Sequence, residues 1–377
     1  MKKASVIAVL WATALLCGCG SGNSSSNATT TADGKTSAET TTASETSSAE
    51  TTAADTTELA EKTELPELRC SASMTDKEKS NTGYRDFTLI YPEKAKKFGD
   101  NRSTWEFSAG EVKNIENNIY ELKIYDEQLD TNFLVHITLP PGYDENREYP
   151  VFFMTDAVWW FGAVPDMWNS IRDGKASPVI FVTLGYDYDT NGTDDNERVG
   201  RFVVYQDKLL DFITNDLMGT ISGNYKIDTK RSTFFGHSCG GLFSHYALFN
   251  SDRYDTQYFA DYIIGSPAFW DYYLVNELDS SILPEPDAYT KEFGYFERNE
   301  KLDKSVYICA GGAEDPQYEK YYNGHESTLE GVRSLCDRLN SRSVRSVESC
   351  IYNNKYHVNY VKPMLKEYLE QHYPAEN

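Results

Sequence analysis

Gly236-His237-Ser238-Cys239-Gly240 is a G-x-S-x-G run set between an extended apolar stretch, residues 231–235, and an apolar stretch of helical spacing, residues 241–249. A nucleophile elbow demands that setting. A serine raised on a strand-to-helix turn takes backbone angles that crowd a Cβ, so small residues two places before and after it let strand and helix approach. Gly236 and Gly240 meet the demand.

A serine hydroxyl is a poor nucleophile until a base takes its proton, and the base needs a carboxylate to orient it. With an elbow of this kind the chain order is serine, acid, histidine. Six histidines are available. His136 lies on an early strand, His237 adjoins the serine with a diverging side chain, and His245 falls inside the following helix as a packed residue. His325 sits in a polar loop and His372 near the end of the sequence, where solvation suffices. His357, in Lys355-Tyr356-His357-Val358-Asn359, stands after a late strand and before a final helix, which is the place for the base.

The acid should follow the strand before that, where 306–310 runs into Gly311-Gly312-Ala313-Glu314-Asp315-Pro316. Counting from the strand end favours Glu314, whereas the Asp-Pro pairing and shorter reach favour Asp315; Glu314 is preferred and Asp315 stays open. Acyl transfer also needs two backbone N–H donors aimed at the developing oxyanion. One is expected from Cys239, whose side chain should pack inward, and the other from the loop 155–160.

Around these residues the pattern alternates strands and helices. Residues 119–124 and 134–139 alternate apolar and polar side chains as half-buried strands do. Runs at 149–154, 178–184, 262–264, 306–310 and 344–352 read as buried strands; 209–218, 329–339 and 361–372 have helical spacing. The expectation is an α/β fold: a mostly parallel central sheet with helices on both faces and antiparallel strands at its beginning.

Residues 1–18 read as a lipoprotein signal peptide, with Cys19 as the lipidated residue of Leu16-Cys17-Gly18-Cys19 and Cys17 as the weaker candidate. Residues 20–57 are Ser, Thr, Ala, Gly, Asn and acidic residues for the most part, without a single aromatic or branched aliphatic side chain, so 19–65 is expected to be a flexible stalk and 66–377 the folded domain. The location implied is the outer surface of a bacterial cell, with membrane contact only through the lipid. A net charge of −22 argues against nucleic acid as a partner. Outside the leader, five cysteines form neither a C-x-x-C pair nor a zinc pattern; mostly free, buried thiols are expected, with a Cys336–Cys350 bridge as the one option. No metal or cofactor is expected.

The sequence resembles the esterase family of α/β-hydrolases that includes feruloyl and acetylxylan esterases, siderophore-hydrolysing esterases and mycolyltransferases. Leu139-Pro140-Pro141-Gly142-Tyr143-Asp144 with Tyr149-Pro150-Val151, the elbow segment 234–242, Gly265-Ser266-Pro267-Ala268-Phe269-Trp270 and His357 carry the resemblance. It implies the α/β-hydrolase fold, and by analogy with the family's Asp-Gly-x loop it implies Val158 N–H as the second oxyanion donor. Ala157 and Tyr356 depart from the family pattern, standing where glycine is usual. The function so implied is a surface-tethered serine carboxylic-ester hydrolase. Its substrate would be an ester, with acyl groups on plant polysaccharide (feruloyl or acetyl) as the first expectation. Trp159, Trp160 and Trp270, with Trp168 and Phe269, would stack on a sugar or phenolic acid. The alternatives are a siderophore trilactone esterase, acyl transfer to a sugar, and a non-catalytic lipoprotein that binds a ligand or glycan on a hydrolase scaffold.

Overall fold

A computed structural model describes residues 67–85, 112, 114–187 and 198–375. The expected leader, stalk and Cys19 lie outside the described residues.

Among the described residues, nine strands form one sheet in the order β1-β2-β3-β5-β4-β6-β7-β8-β9. They are β1 (Gly83–Arg85), β2 (Ile119–Asp126), β3 (Thr131–Thr138), β4 (Val151–Met154), β5 (Ile180–Tyr186), β6 (Thr233–His237), β7 (Asp261–Gly265), β8 (Leu302–Gly311) and β9 (Val344–Tyr352). Pairing is antiparallel from β1 through β3 to β5 and parallel from β5 through β4 to β9. This is the expected α/β-hydrolase arrangement.

Side chains alternate across the strands, so the central strands feed two cores. Phe234, Tyr262, Ile264, Val306 and Ile308 face a core closed by α3 (Cys239–Asn250) and α6 (Thr328–Asn340). Phe152, Phe235, Ile263 and Cys309 face the opposite core, closed by α2 (Val164–Arg172) and α7 (Val361–His372). Before α2 in the chain lies α1 (Ala157–Trp160), and between α3 and α6 lie α4 (Trp270–Leu278) and α5 (Asp315–Tyr322).

Three sequence expectations are corrected. β2 and β3 are buried on both faces, not half-buried, because their polar residues pair with one another inside the fold. His136 Nε2 lies 3.1 Å from Glu121 Oε2 across the β2–β3 register, and Arg85 Nε lies 3.4 Å from Glu121 Oε1. β9, read as buried, is the sheet edge and has no fully buried residue. The Cys336–Cys350 bridge is absent: the five described cysteines are free. Cys336 packs on the α3/α6 side of the sheet and Cys350 on the α2/α7 side, so the sheet separates them. Only Cys239 and Cys309 are buried.

At Gly236 the elbow helix meets β6 so closely that a Cβ there would lie 1.8 Å from Gly240 O. Backbone on both sides leaves little room to relax, so Gly236→Ala is expected to cost about 3 kcal/mol or more, read as a lowered urea midpoint.

Away from the elbow, Glu78, Asp126 and Asp216 each bring a carboxylate oxygen within 4.8 Å of the others. Burial, with added repulsion from Glu78, Asp216 and Asp211, raises the Asp126 pKa from 3.8 to about 6, against the Leu129 N–H bond that lowers it. The folded chain therefore holds this proton more tightly than the unfolded chain, and its contribution to stability is present below about pH 4 and lost as pH rises through about 6. The stability of Asp126→Asn relative to the parent is expected to increase across that window in urea titrations; a constant difference would contradict the assignment.

Candidate active site

The polar residues singled out from the sequence converge at the C-terminal ends of the parallel strands, where open α/β sheets bind ligands. Ser238 leaves β6 at φ +61°, ψ −123° and begins α3. Its N–H donates to Gly265 O at 2.9 Å, and its carbonyl accepts from Ala268 N–H at 3.2 Å, tying the elbow to the end of β7. The residue is partly exposed, whereas His237 before it and Cys239 after it are buried.

His357 is buried beside that turn. Its ring centroid lies 4.6 Å from that of His237 and 4.7 Å from that of Tyr318. Nδ1 lies 3.2 Å from Glu314 Oε2. The N–H of His357 donates to Gln317 Oε1 at 3.2 Å. Nε2, the nitrogen that would take a serine proton, is buried with no hydrogen-bond partner.

Between the two carboxylates the geometry discriminates. Glu314 is fully buried, and its Oε2 also accepts from Ser266 Oγ at 2.8 Å and Gly311 N–H at 3.4 Å. Asp315 turns away: its Oδ1 accepts from Tyr322 Oη at 3.2 Å and from Leu329 N–H at 3.1 Å, at the start of α6. Asp315 therefore ties the loop to the next helix and makes no contact with His357 among its described hydrogen bonds.

Sequence reasoning gave no role to Ser266, Tyr360 or Gln317. Ser266, at φ +38°, shares a 2.6 Å hydrogen bond with Tyr360 Oη while donating to Glu314. The signal was present in Gly265-Ser266-Pro267: a polar residue directly after a buried strand and directly before a proline, where the chain must turn.

Cys239, one expected oxyanion donor, stands at the N-terminus of α3, where main-chain N–H groups lack partners within the helix. Its thiol is 3.1 Å from the buried Asp271 Oδ2. Val158, the other, is the second residue of α1, a helix that follows Asp156 in left-handed conformation. The tryptophans are corrected: Trp159, Trp160 and Trp270 are 6%, 2% and 4% exposed, so none offers a stacking face in this conformation. Trp160 meets His237 edge-on at 4.9 Å, and Trp270 packs on Tyr318 at 5.6 Å and Tyr322 at 5.2 Å. Trp168 donates from Nε1 to Leu139 O, and Phe269 stacks on Tyr289. Tyr356, beside the candidate base, is instead 50% exposed.

His237 is the electrostatic complement of the site. Burial first, then the neighbouring His357, holds its pKa well below the ordinary histidine value.

A parallel sheet with a serine elbow, a histidine and a buried carboxylate at its C-terminal edge defines an α/β-hydrolase. The chain belongs to the esterase family described as "Putative esterase", which it matches over residues 127–374. It is 26% identical over 258 residues to the ferri-bacillibactin esterase BesA of Bacillus subtilis (strain 168), covering 61% of this chain and 81% of that protein. Two solved structures share the fold. The BES protein from Bacillus cereus has TM-score 0.51 and 22% identity, covering 68% of this chain and 95% of that one. The siderophore hydrolase EstB from Aspergillus nidulans has TM-score 0.51 and 19% identity, covering 68% of this chain and 96% of that one.

If Glu314 alone orients the histidine, Glu314→Gln lowers kcat for a short ester by about 10³- to 10⁴-fold, while Asp315→Asn changes it by no more than about threefold. Steady-state kinetics on both variants checks this.

Proposed function

We propose that the chain hydrolyses carboxylic esters through an acyl-enzyme on Ser238. Ser238 Oγ attacks the ester carbonyl as His357 Nε2 takes its proton, and the oxyanion so formed accepts from Cys239 and Val158 N–H. Collapse breaks the bond to the alcohol, which leaves with the proton from His357; water then repeats the sequence and releases the acid. Glu314 holds the imidazole by Nδ1 and stabilises the imidazolium. The observation that carries this reading is His357 wedged between Glu314 and the elbow with Nε2 uncommitted. Ser238→Ala is expected to abolish p-nitrophenol release from its acetate, and the parent to show a burst when acyl-enzyme accumulates. If parent and variant are equally inactive across short esters, the binding-lipoprotein reading replaces catalysis.

Two substrate classes divide the support. Acyl esters on plant polysaccharide, feruloyl or acetyl, lose the tryptophan platform but keep the exposed Tyr356 as an aromatic surface at the rim. A siderophore trilactone is supported by the likeness to an esterase named for ferri-bacillibactin. Comparing kcat/KM on a ferric trilactone, methyl ferulate and acetylated xylan separates them, because the favoured substrate exceeds the others by orders of magnitude.

The surface location is likewise a proposal, supported by residues 1–57 of the sequence alone. Cys19→Ala is expected to release the protein from the membrane fraction to the medium, read by immunoblot.

A further inference from the structure

Asp156 follows the end of β4 and precedes α1, with φ +55° and ψ +55°. Its carboxylate is buried, and both oxygens are taken by one side chain: Arg198 Nε donates to Oδ1 at 2.7 Å and Nη2 donates to Oδ2 at 2.7 Å. Arg198 is itself largely buried, at 13% side-chain exposure, and its guanidinium lies 5.4 Å from the Phe202 ring centroid. Such a fork fixes the plane of the carboxylate as well as its position, which a lysine cannot do.

The carboxylate also touches the elbow. A Cβ on Gly240 would lie 2.9 Å from Asp156 Oδ2 and 2.6 Å from Thr155 Oγ1. Asp156 is thus packed between the turn that carries Ala157 and Val158 and the helix that starts at Cys239, the two segments expected to supply the oxyanion donors. Two further bonds set the turn: Trp159 and Trp160 N–H both donate to Asp156 O, at 2.8 and 3.1 Å. A left-handed aspartate whose side chain is clamped therefore dictates where the next N–H groups point.

We propose that Arg198 is a positioning residue for ester hydrolysis, acting through Asp156 to hold the oxyanion turn in register with the elbow. The inference rests on the Ser238 esterase reading. Oxyanion donors serve the transition state more than the bound ester, so loss of the clamp lowers kcat and leaves KM nearly unchanged. It also weakens, by the same factor, a boronic acid that forms a tetrahedral adduct on the serine.

The test uses the full chain with p-nitrophenyl acetate, a neutral substrate, and compares the parent with Ser238→Ala, Arg198→Gln and Arg198→Lys. Expected are a kcat loss of about 10²-fold for Arg198→Gln with KM within about threefold, a parallel loss of boronate affinity, and a smaller kcat loss for Arg198→Lys. Activity retained within about threefold by Arg198→Gln, with Ser238→Ala inactive, overturns the proposal and leaves the esterase reading standing. Activity retained by Ser238→Ala overturns the esterase reading itself. A rise in KM for anionic esters with the neutral ester unaffected would make Arg198 a substrate ligand and also overturn the proposal. Should Arg198→Gln fail to fold, Arg198→Lys with an unchanged melting temperature decides by the same split between kcat, KM and boronate affinity.

Discussion

The ladder of parallel hydrogen bonds does not stop where the strands stop, and the site depends on that continuation. Thr155 N–H donates to Phe235 O, Ser238 N–H to Gly265 O, Ser266 N–H to Cys309 O and Gly312 N–H to Tyr352 O, each from just beyond one strand to the next strand along. The chain is then turned sharply at three of these ends by non-glycine residues with positive φ: Asp156, Ser238 and Ser266. Each such residue costs of order 1–3 kcal/mol. The ladder and the buried side-chain bonds hold them there, and the result is a row of polar side chains aimed off the same edge of the sheet.

Glu314 shows why that row has to be complete. A carboxylate removed from water is tolerable only with donors around it. Its Oε2 draws on β7 through Ser266, on β8 through Gly311 and on the loop after β9 through His357. Three segments distant in sequence are therefore fixed relative to one another by a single oxygen. Tyr360, bonded to Ser266, adds the start of α7 to the same group. The imidazole is held from below by this network and from the sides by rings, so its orientation is fixed by the fold itself.

The parts of this arrangement legible in the sequence are those governed by local backbone demands or by strand burial. The elbow declared itself through glycines, since a side chain at Gly236 would meet the backbone of Gly240. The central parallel strands declared themselves as continuous apolar runs because both faces are covered. What could not be read was tertiary compensation. Glu121 and His136 look like solvent-facing positions until they are seen to pair across β2 and β3. Trp160 and Trp270 look like a binding platform until they are seen to be buried among other rings. Asp315-Pro316 reads in sequence as a sign of the acid, but proline in the first turn marks a helix start, and α5 begins there. That helix turns Asp315 toward Tyr322 and Leu329 and leaves Glu314 facing the histidine.

His237 supplies the remaining constraint. A histidine next to the elbow could compete with His357 for the proton, and two cationic imidazoles at 4.6 Å would repel strongly in a site with little water. Full burial removes the competition by keeping His237 neutral, with the positive charge of a protonated His357 acting in the same direction. The two rings thus divide their tasks by environment alone. One is buried with Trp160, Tyr360 and the other imidazole around it and acts as packing; the other has a carboxylate on Nδ1 and an uncommitted Nε2. The proposed proton transfer between serine and leaving alcohol therefore runs through His357, the one of these two imidazoles with a carboxylate on Nδ1 among the described contacts.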